Sequence, residues 1–178
     1  MSLAAVALAP PPVVGDAAIT TLPQVRLLDA RSAGLDSVQL RCWAREQTEA
    51  ADAAYCTRSY RYPYALIAWH DEPVGVDIER VEPCSSAFAV SICTPAERAD
   101  RAFASYGDAE ITSIWSSKEA LAKALGDAID YDPRRLASPI AWPAGRAGRW
   151  RAAPLTVTEG HAAWLCWRQP QAAATQLE

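Results

Sequence analysis

Two rhythms of apolar and polar residues run along this chain. From Tyr64 to Trp69 six apolar residues follow one another, bounded by Pro63 and the turn-forming His70-Asp-Glu-Pro73, which predicts a buried strand. Val74-Gly-Val-Asp-Ile-Glu79 then alternates with a period of two and is expected to be its hairpin partner, with Val76 and Ile78 on one face and Asp77 and Glu79 on the other. Upstream, the stretch from Leu35 to Ala54 carries Leu35, Val38, Trp43 and Ala50 among charges and predicts a helix. Thr94-Pro-Ala-Glu97 has the form of a capping box with proline at the first helical position, so a helix should run from Pro95 to Tyr106 and break at Gly107-Asp108. A second helix is expected from Ala109, apolar at Ile111, Ile114, Trp115, Leu121 and Leu125, with Gly126 as its stop. Ser138–Trp142, Trp150–Thr158 and His161–Arg168 read as strands, the last two joined through Glu159-Gly160. Strands, helices, then strands again indicate an α+β fold rather than a parallel α/β sheet.

A chain of 178 residues is long enough for one domain or two small packed halves, and no apolar run reaches membrane-spanning length. The apolar opening Met1–Val14 has no basic residue before it, the first being Arg26, so residues 1–20 read as a loose lead-in rather than a secretion signal. Neither that segment nor the final Leu177-Glu178 is assigned a function. Five cysteines, an odd number with no CxxC pair, fit free thiols in a reducing cytosol. His70 and His161 are the only histidines, leaving few parts for a zinc site or a Ser/His/Asp triad. A net charge of −4 argues against a general nucleic-acid binder.

Chemistry concentrates in two places. Asp77 and Glu79 repel each other unless a cation lies between them, and a hard divalent cation such as Mg²⁺ favours oxygen ligands from carboxylate, phosphate and water. The alternative is an outer strand face with Glu79 paired to an arginine. On the second helix Ser116, Glu119 and Lys123 fall at i, i+3 and i+7, which adds a third carboxylate; there the alternative is an ordinary i,i+4 surface pair. Against that alternative stands the distribution of cations: fifteen arginines are scattered along the chain, while both lysines, Lys118 and Lys123, lie in this one helix. A compact ammonium suits phosphate contact or proton transfer in a way a guanidinium does not.

With GVDIE at 75–79, WSSKEALAK at 115–123 and CTPAER at 93–98 between them, the chain resembles the 4′-phosphopantetheinyl transferases from Pro73 to Gly126. The Asp-x-Glu spacing resembles the longer Sfp-type members rather than the short trimeric synthases. The resemblance implies two similar α+β halves, each a small antiparallel sheet packed on helices, related by a pseudo-twofold axis with coenzyme A between them. The halves would be residues 1–72 and 73–178. It further implies transfer of phosphopantetheine from coenzyme A to a carrier-protein serine, releasing adenosine 3′,5′-bisphosphate. Asp77, Glu79 and Glu119 would hold Mg²⁺, Glu119 and Lys123 would be catalytic, and Lys118 and Lys123 would contact coenzyme A phosphate.

The first half departs from the family pattern. The usual Ser-His-Ser element is replaced by Ser59-Tyr60-Arg61, where Tyr60 stands for the histidine and Arg61 supplies positive charge. There is no Gly-Lys-Pro element, and Arg41 and Arg45 are the candidates for the coenzyme A 3′-phosphate. Arg98 and Arg101 are candidates for docking an acidic acyl or peptidyl carrier, whether of fatty-acid, polyketide or nonribosomal-peptide type. A two-half protein can complete its site as a monomer. Two other readings remain: a non-catalytic homologue that binds coenzyme A or carrier protein, and an unrelated Mg²⁺-dependent phosphohydrolase.

Overall fold

A computed structural model of the chain describes residues 22–171; the lead-in and the terminal pair lie outside the described residues. In chain order the elements are β1 (Gln24–Asp29), α1 (Ala30–Ala33), α2 (Ser37–Glu49), β2 (Tyr55–Arg61), β3 (Tyr64–His70), β4 (Val74–Arg80), α3 (Ser86–Ile92), α4 (Pro95–Ala99), α5 (Asp108–Leu125), β5 (Arg146–Ala147), β6 (Trp150–Pro154) and β7 (His161–Arg168). Short 3₁₀ turns occupy Arg101–Ser105, Pro139–Ala141 and Pro143–Gly145.

The strands form two antiparallel sheets, ordered β1-β3-β2 and β4-β7-β6-β5. Alternation along β3 decides how they stack. Ala65, Ile67 and Trp69 face Leu40 and Ala44 of α2. Tyr64, Leu66 and Ala68 face the other way, onto Val74, Val76 and Ile78 of β4 and Ala163, Leu165 and Trp167 of β7. The far side of the second sheet presents Trp164 and Cys166 to Ala120, Leu121 and Ala124 of α5. The layers are therefore helix, sheet, sheet, helix, and the fold is α+β with one long helix on each sheet. A further cluster of Ala89, Ile92 and Cys93 packs on Ile111 and Ile114, so α5 is covered along a second side.

Several expectations change. Val74–Arg80 is not the hairpin partner of β3, whose two edges are taken by β1 and β2; it crosses to the second sheet and pairs with β7, Asp77 opposite Trp164. The buried stripe of α2 is Leu40, Ala44 and Thr48, while Val38 is 66% exposed. The Thr94 capping box forms as expected, but the helix stops at Ala99, because Asp100 is extended and its side chain caps a new 3₁₀ turn through the Ala102 amide. Ser138–Trp142 is a 3₁₀ turn, not a strand: Ser138 caps the Ile140 amide and Pro139 has no N–H to give a ladder. Strand β6 ends at Pro154 rather than Thr158.

Candidate active site

The two sheets meet edge to edge where β2 comes alongside β4. Ser59 on β2 bridges them: its hydroxyl donates to Asp77 Oδ1 at 2.8 Å and accepts from the Ile78 amide at 3.3 Å. Asp77 is 2% exposed, so it is an interior acid rather than part of an outer strand face. Lys123 of α5 also donates to Asp77 Oδ1, at 2.7 Å, and to the Val76 carbonyl at 3.2 Å. The i,i+4 surface pair with Glu119 is thus not the one Lys123 makes. Its ammonium keeps one of its three N–H groups beyond these two bonds.

Close approach of α5 to β4 makes this contact possible, and Gly75 is the reason. A Cβ on Gly75 would lie 2.0 Å from the Ala120 carbonyl oxygen and 2.5 Å from the Ala124 amide nitrogen, so no larger residue fits without moving the helix. The other two acids sit beside Asp77, each with its own partner. Glu79 accepts from the Trp115 indole at 3.3 Å and pairs with Arg61 at 3.4 Å. Glu119 accepts from the Tyr131 hydroxyl. Burial first, and then the charge of Asp77, hold the Glu79 carboxyl above the ordinary carboxylate range. Glu119 is raised as well, by burial above all and by Asp77, against the opposing hydrogen bond from Tyr131. Burial and the Glu119 carboxylate push the Tyr131 phenol far up, so it stays protonated and a donor.

A cleft of 810 Å³ opens between α2, β2 and the C-terminal end of α5. Arg41, Arg45, Tyr60 and Lys123 all line it, together with Arg58, and no acid is among its lining residues. Arg41 and Arg45 are one helical turn apart on α2, and the Arg41 guanidinium stacks 4.5 Å from the centre of the Tyr60 ring. Four of the expected contact residues are therefore brought together by elements far apart in sequence.

The other two are not. Arg61 follows Tyr60 and so points to the opposite face of β2, where it lines a separate cavity of 430 Å³ with Glu79, Phe88 and Trp115 and pairs with Glu79 and Glu82. Lys118 is 0% exposed, and its ammonium donates to the Ile92 carbonyl at 2.7 Å, Glu97 Oε2 at 2.6 Å and the Pro133 carbonyl at 3.0 Å. All three of its N–H groups are used, which leaves none for a phosphate and makes this a structural lysine. Arg98 and Arg101 are exposed and have no ion pair among the described residues.

A family model described as the 4′-phosphopantetheinyl transferase superfamily matches residues 73–175, more than half of the chain. The chain belongs to this superfamily. No curated protein matches it. The matched span contains both motifs; the arginine-bearing helix α2 and strand β2 lie before it. Members of this superfamily transfer phosphopantetheine and use coenzyme A as substrate in general.

The donor chemistry suits the hard cation that such a transferase implies. The Asp77 Oδ2 atom is buried with no hydrogen-bond partner, and Glu79 and Glu119 lie near enough to feel the Asp77 charge, a repulsion that a cation between them would relieve. Among the described residues no three His, Cys, Asp or Glu side chains are gathered tightly enough to hold an ion as they stand, since each acid is turned to its own protein partner.

Sequence reasoning missed several members of this site. Arg58 shares the face of Tyr60 by the two-residue strand period and was legible on that ground. Ser59 was seen only as part of a replaced motif, while its bond to Asp77 crosses between sheets. Glu97 was read only as a cap, yet it also takes the Lys118 charge and the Ser138 amide. Nothing local in the sequence marks Tyr131.

Proposed function

We propose that this chain transfers the 4′-phosphopantetheine arm of coenzyme A to a serine of an apo acyl or peptidyl carrier protein, with Mg²⁺, releasing adenosine 3′,5′-bisphosphate. The observation that carries this reading is the convergence of Arg41, Arg45, Arg58 and Lys123 on one acid-free cleft, with Lys123 also bonded to Asp77. Such a cleft suits a ligand with several phosphates. Arg41 and Arg45 hold the 3′-phosphate, and Tyr60 keeps the Arg41 guanidinium flat and oriented.

In the transfer, a bond forms between the serine oxygen and the pantetheine-side phosphorus. The bond from that phosphorus to the bridging oxygen breaks, and its electron pair leaves with the adenosine bisphosphate. The serine proton passes to Glu119, whose burial strengthens it as a base. Lys123 directs its remaining N–H at the charge that develops on the phosphate oxygens. Asp77, Glu79 and Glu119 would hold a divalent cation such as Mg²⁺, which would supply neutralisation of the diphosphate charge. Ser59 orients Asp77, and the Trp115 indole with Arg61 orients Glu79.

Arg98 and Arg101, exposed and without an ion pair among the described residues, are suited to an acidic carrier. The proposal includes a cytosolic, monomeric protein; no helix among the described residues is long and apolar enough to cross a membrane, and all five cysteines are free. Intact-mass spectrometry of an apo carrier protein incubated with this chain, coenzyme A and Mg²⁺ tests it, beside a control in chelator. A metal-dependent gain of the phosphopantetheine mass is expected. Coenzyme A binding without mass gain on any of several carriers would replace the transferase with a binding protein. Coenzyme A cleavage with no carrier present would replace it with a hydrolase.

A further inference from the structure

The segment that follows α5 is tied down at both ends. Gly126 takes the left-handed conformation at φ 82°, and the Asp127 amide bonds back to the Ala122 carbonyl at 3.0 Å, which closes the helix and starts the turn. The Tyr131 amide then bonds to the Asp127 carbonyl at 3.2 Å. Two residues on, the Pro133 carbonyl accepts one of the three bonds of the enclosed Lys118 ammonium. Between these ties Ala128 and Ile129 reach the rim of the arginine-lined cleft. The half-buried Tyr131 ring turns inward and its hydroxyl bonds to Glu119 Oε1. Among the described residues this is the one hydrogen bond that Glu119 makes through its carboxylate, so the rotamer of that side chain depends on it.

We propose that Tyr131 is a positioning residue for Glu119: its hydroxyl holds one carboxylate oxygen so that the other is presented to the reacting centre, and Lys118 fixes the loop that carries Tyr131. This inference rests on the transferase reading given above. It also accounts for the burial of Lys118 next to a reactive carboxylate. Lys118 joins the end of α3 through the Ile92 carbonyl, α4 through Glu97 and the loop through the Pro133 carbonyl, so the scaffold around Glu119 turns on one ammonium. A carboxylate held by a single neutral donor from a braced loop has one preferred orientation before substrate arrives, which is the condition for an effective general base or metal ligand.

Tyr131→Phe removes one oxygen and keeps the ring, so the packing of the loop is retained. Two measurements on the full chain test the proposal: steady-state transfer to an apo acyl carrier protein, and Mn²⁺ binding in the presence of coenzyme A followed by electron paramagnetic resonance. In the variant, kcat should fall and the Mn²⁺ dissociation constant should rise, each by roughly 10–100-fold, as for other groups that orient a ligand. The KM for coenzyme A should stay within about threefold, because Tyr131 does not touch the phosphate cleft. Unchanged kcat and Mn²⁺ affinity would overturn the inference while leaving the transferase reading intact, and so would a gain in activity. A fall in kcat with Mn²⁺ affinity unchanged and a matching loss of folded protein would make Tyr131 merely structural. A wild-type chain that neither transfers nor binds Mn²⁺ would overturn the transferase reading itself, and this inference with it.

Discussion

Gly75→Ala probes the contact on which the site is built. The added methyl group would sit 2.0 Å from the Ala120 carbonyl oxygen, 2.5 Å from the Ala124 amide nitrogen and 3.0 Å from Lys123 Cβ. Two of these three atoms are backbone, so no side-chain rotation relieves the clash, and α5 must withdraw. Restoring the nearest pair to an ordinary contact of 3.4 Å requires a shift of about 1.4 Å. Overpacking of this kind costs about 1–3 kcal/mol, and a rigid neighbour puts the substitution at the upper end. The lower entropy of alanine in the unfolded chain offsets about 0.4–1 kcal/mol of it. A net loss of about 2–2.6 kcal/mol corresponds to a fall in Tm of about 4–10 °C for a chain of this length. The same shift draws Lys123 from Asp77, now 2.7 Å apart, and moves Glu119 with it. Misplacement of reacting groups by this distance costs about 100-fold in rate, well beyond what the stability change explains while the protein remains folded. Scanning calorimetry and the carrier-modification assay read the two effects. A variant with wild-type Tm and wild-type transfer would show that α5 does not lie against β4 as described and would remove the geometric basis of the site.

Three further outcomes follow from the same geometry. Lys118→Met leaves Glu97 and two carbonyls without their cation, which should cost about 3–5 kcal/mol, visible as a lower midpoint in urea unfolding; lost activity with an unchanged midpoint would restore Lys118 to phosphate contact. Arg41→Gln removes an exposed charge at the cleft, so Tm should hold while the KM for coenzyme A rises about 10–150-fold, the equivalent of one charged hydrogen bond; an unchanged KM would move the 3′-phosphate elsewhere. Burial alone would raise the Glu97 carboxyl, but the bonds from Lys118, the Ser138 amide and the Thr94 amide outweigh it and leave it below the ordinary value. A lowered carboxylate stabilises the fold fully above its unfolded value and loses that contribution as pH falls through its folded value. The stability advantage of wild type over Glu97→Gln should therefore be constant near neutrality and shrink below about pH 4.5, and an advantage that grows on acidification would refute the assignment.

Some of this protein was legible in its sequence because the governing interactions are local. The alternation at Val76, Asp77, Ile78 and Glu79 sets which faces of β4 are apolar and acidic whatever strand lies beside it. The Thr94-to-Glu97 cap and the Gly126 stop involve atoms a few residues apart, and both form as the residue types predict. Two motifs in order carried the family resemblance, and the matched span contains both.

Partners supplied by distant backbone were not legible. Both β3 and β4 have strong strand character, but whether they share a sheet depends on competition from β1, β2 and β7, which no local pattern reports. The two lysines show the limit most clearly. They lie five residues apart, about 140° around the helix, and are chemically identical. Sequence alone determined that both ammonium groups sit on one helix beside Glu119. Tertiary structure decided that Lys118 meets the unpaired carbonyls of Ile92 and Pro133 while Lys123 reaches Asp77 at the edge of the cleft. The physical reason is that a buried cation goes where unsatisfied acceptors converge, and that convergence exists only after the layers have packed.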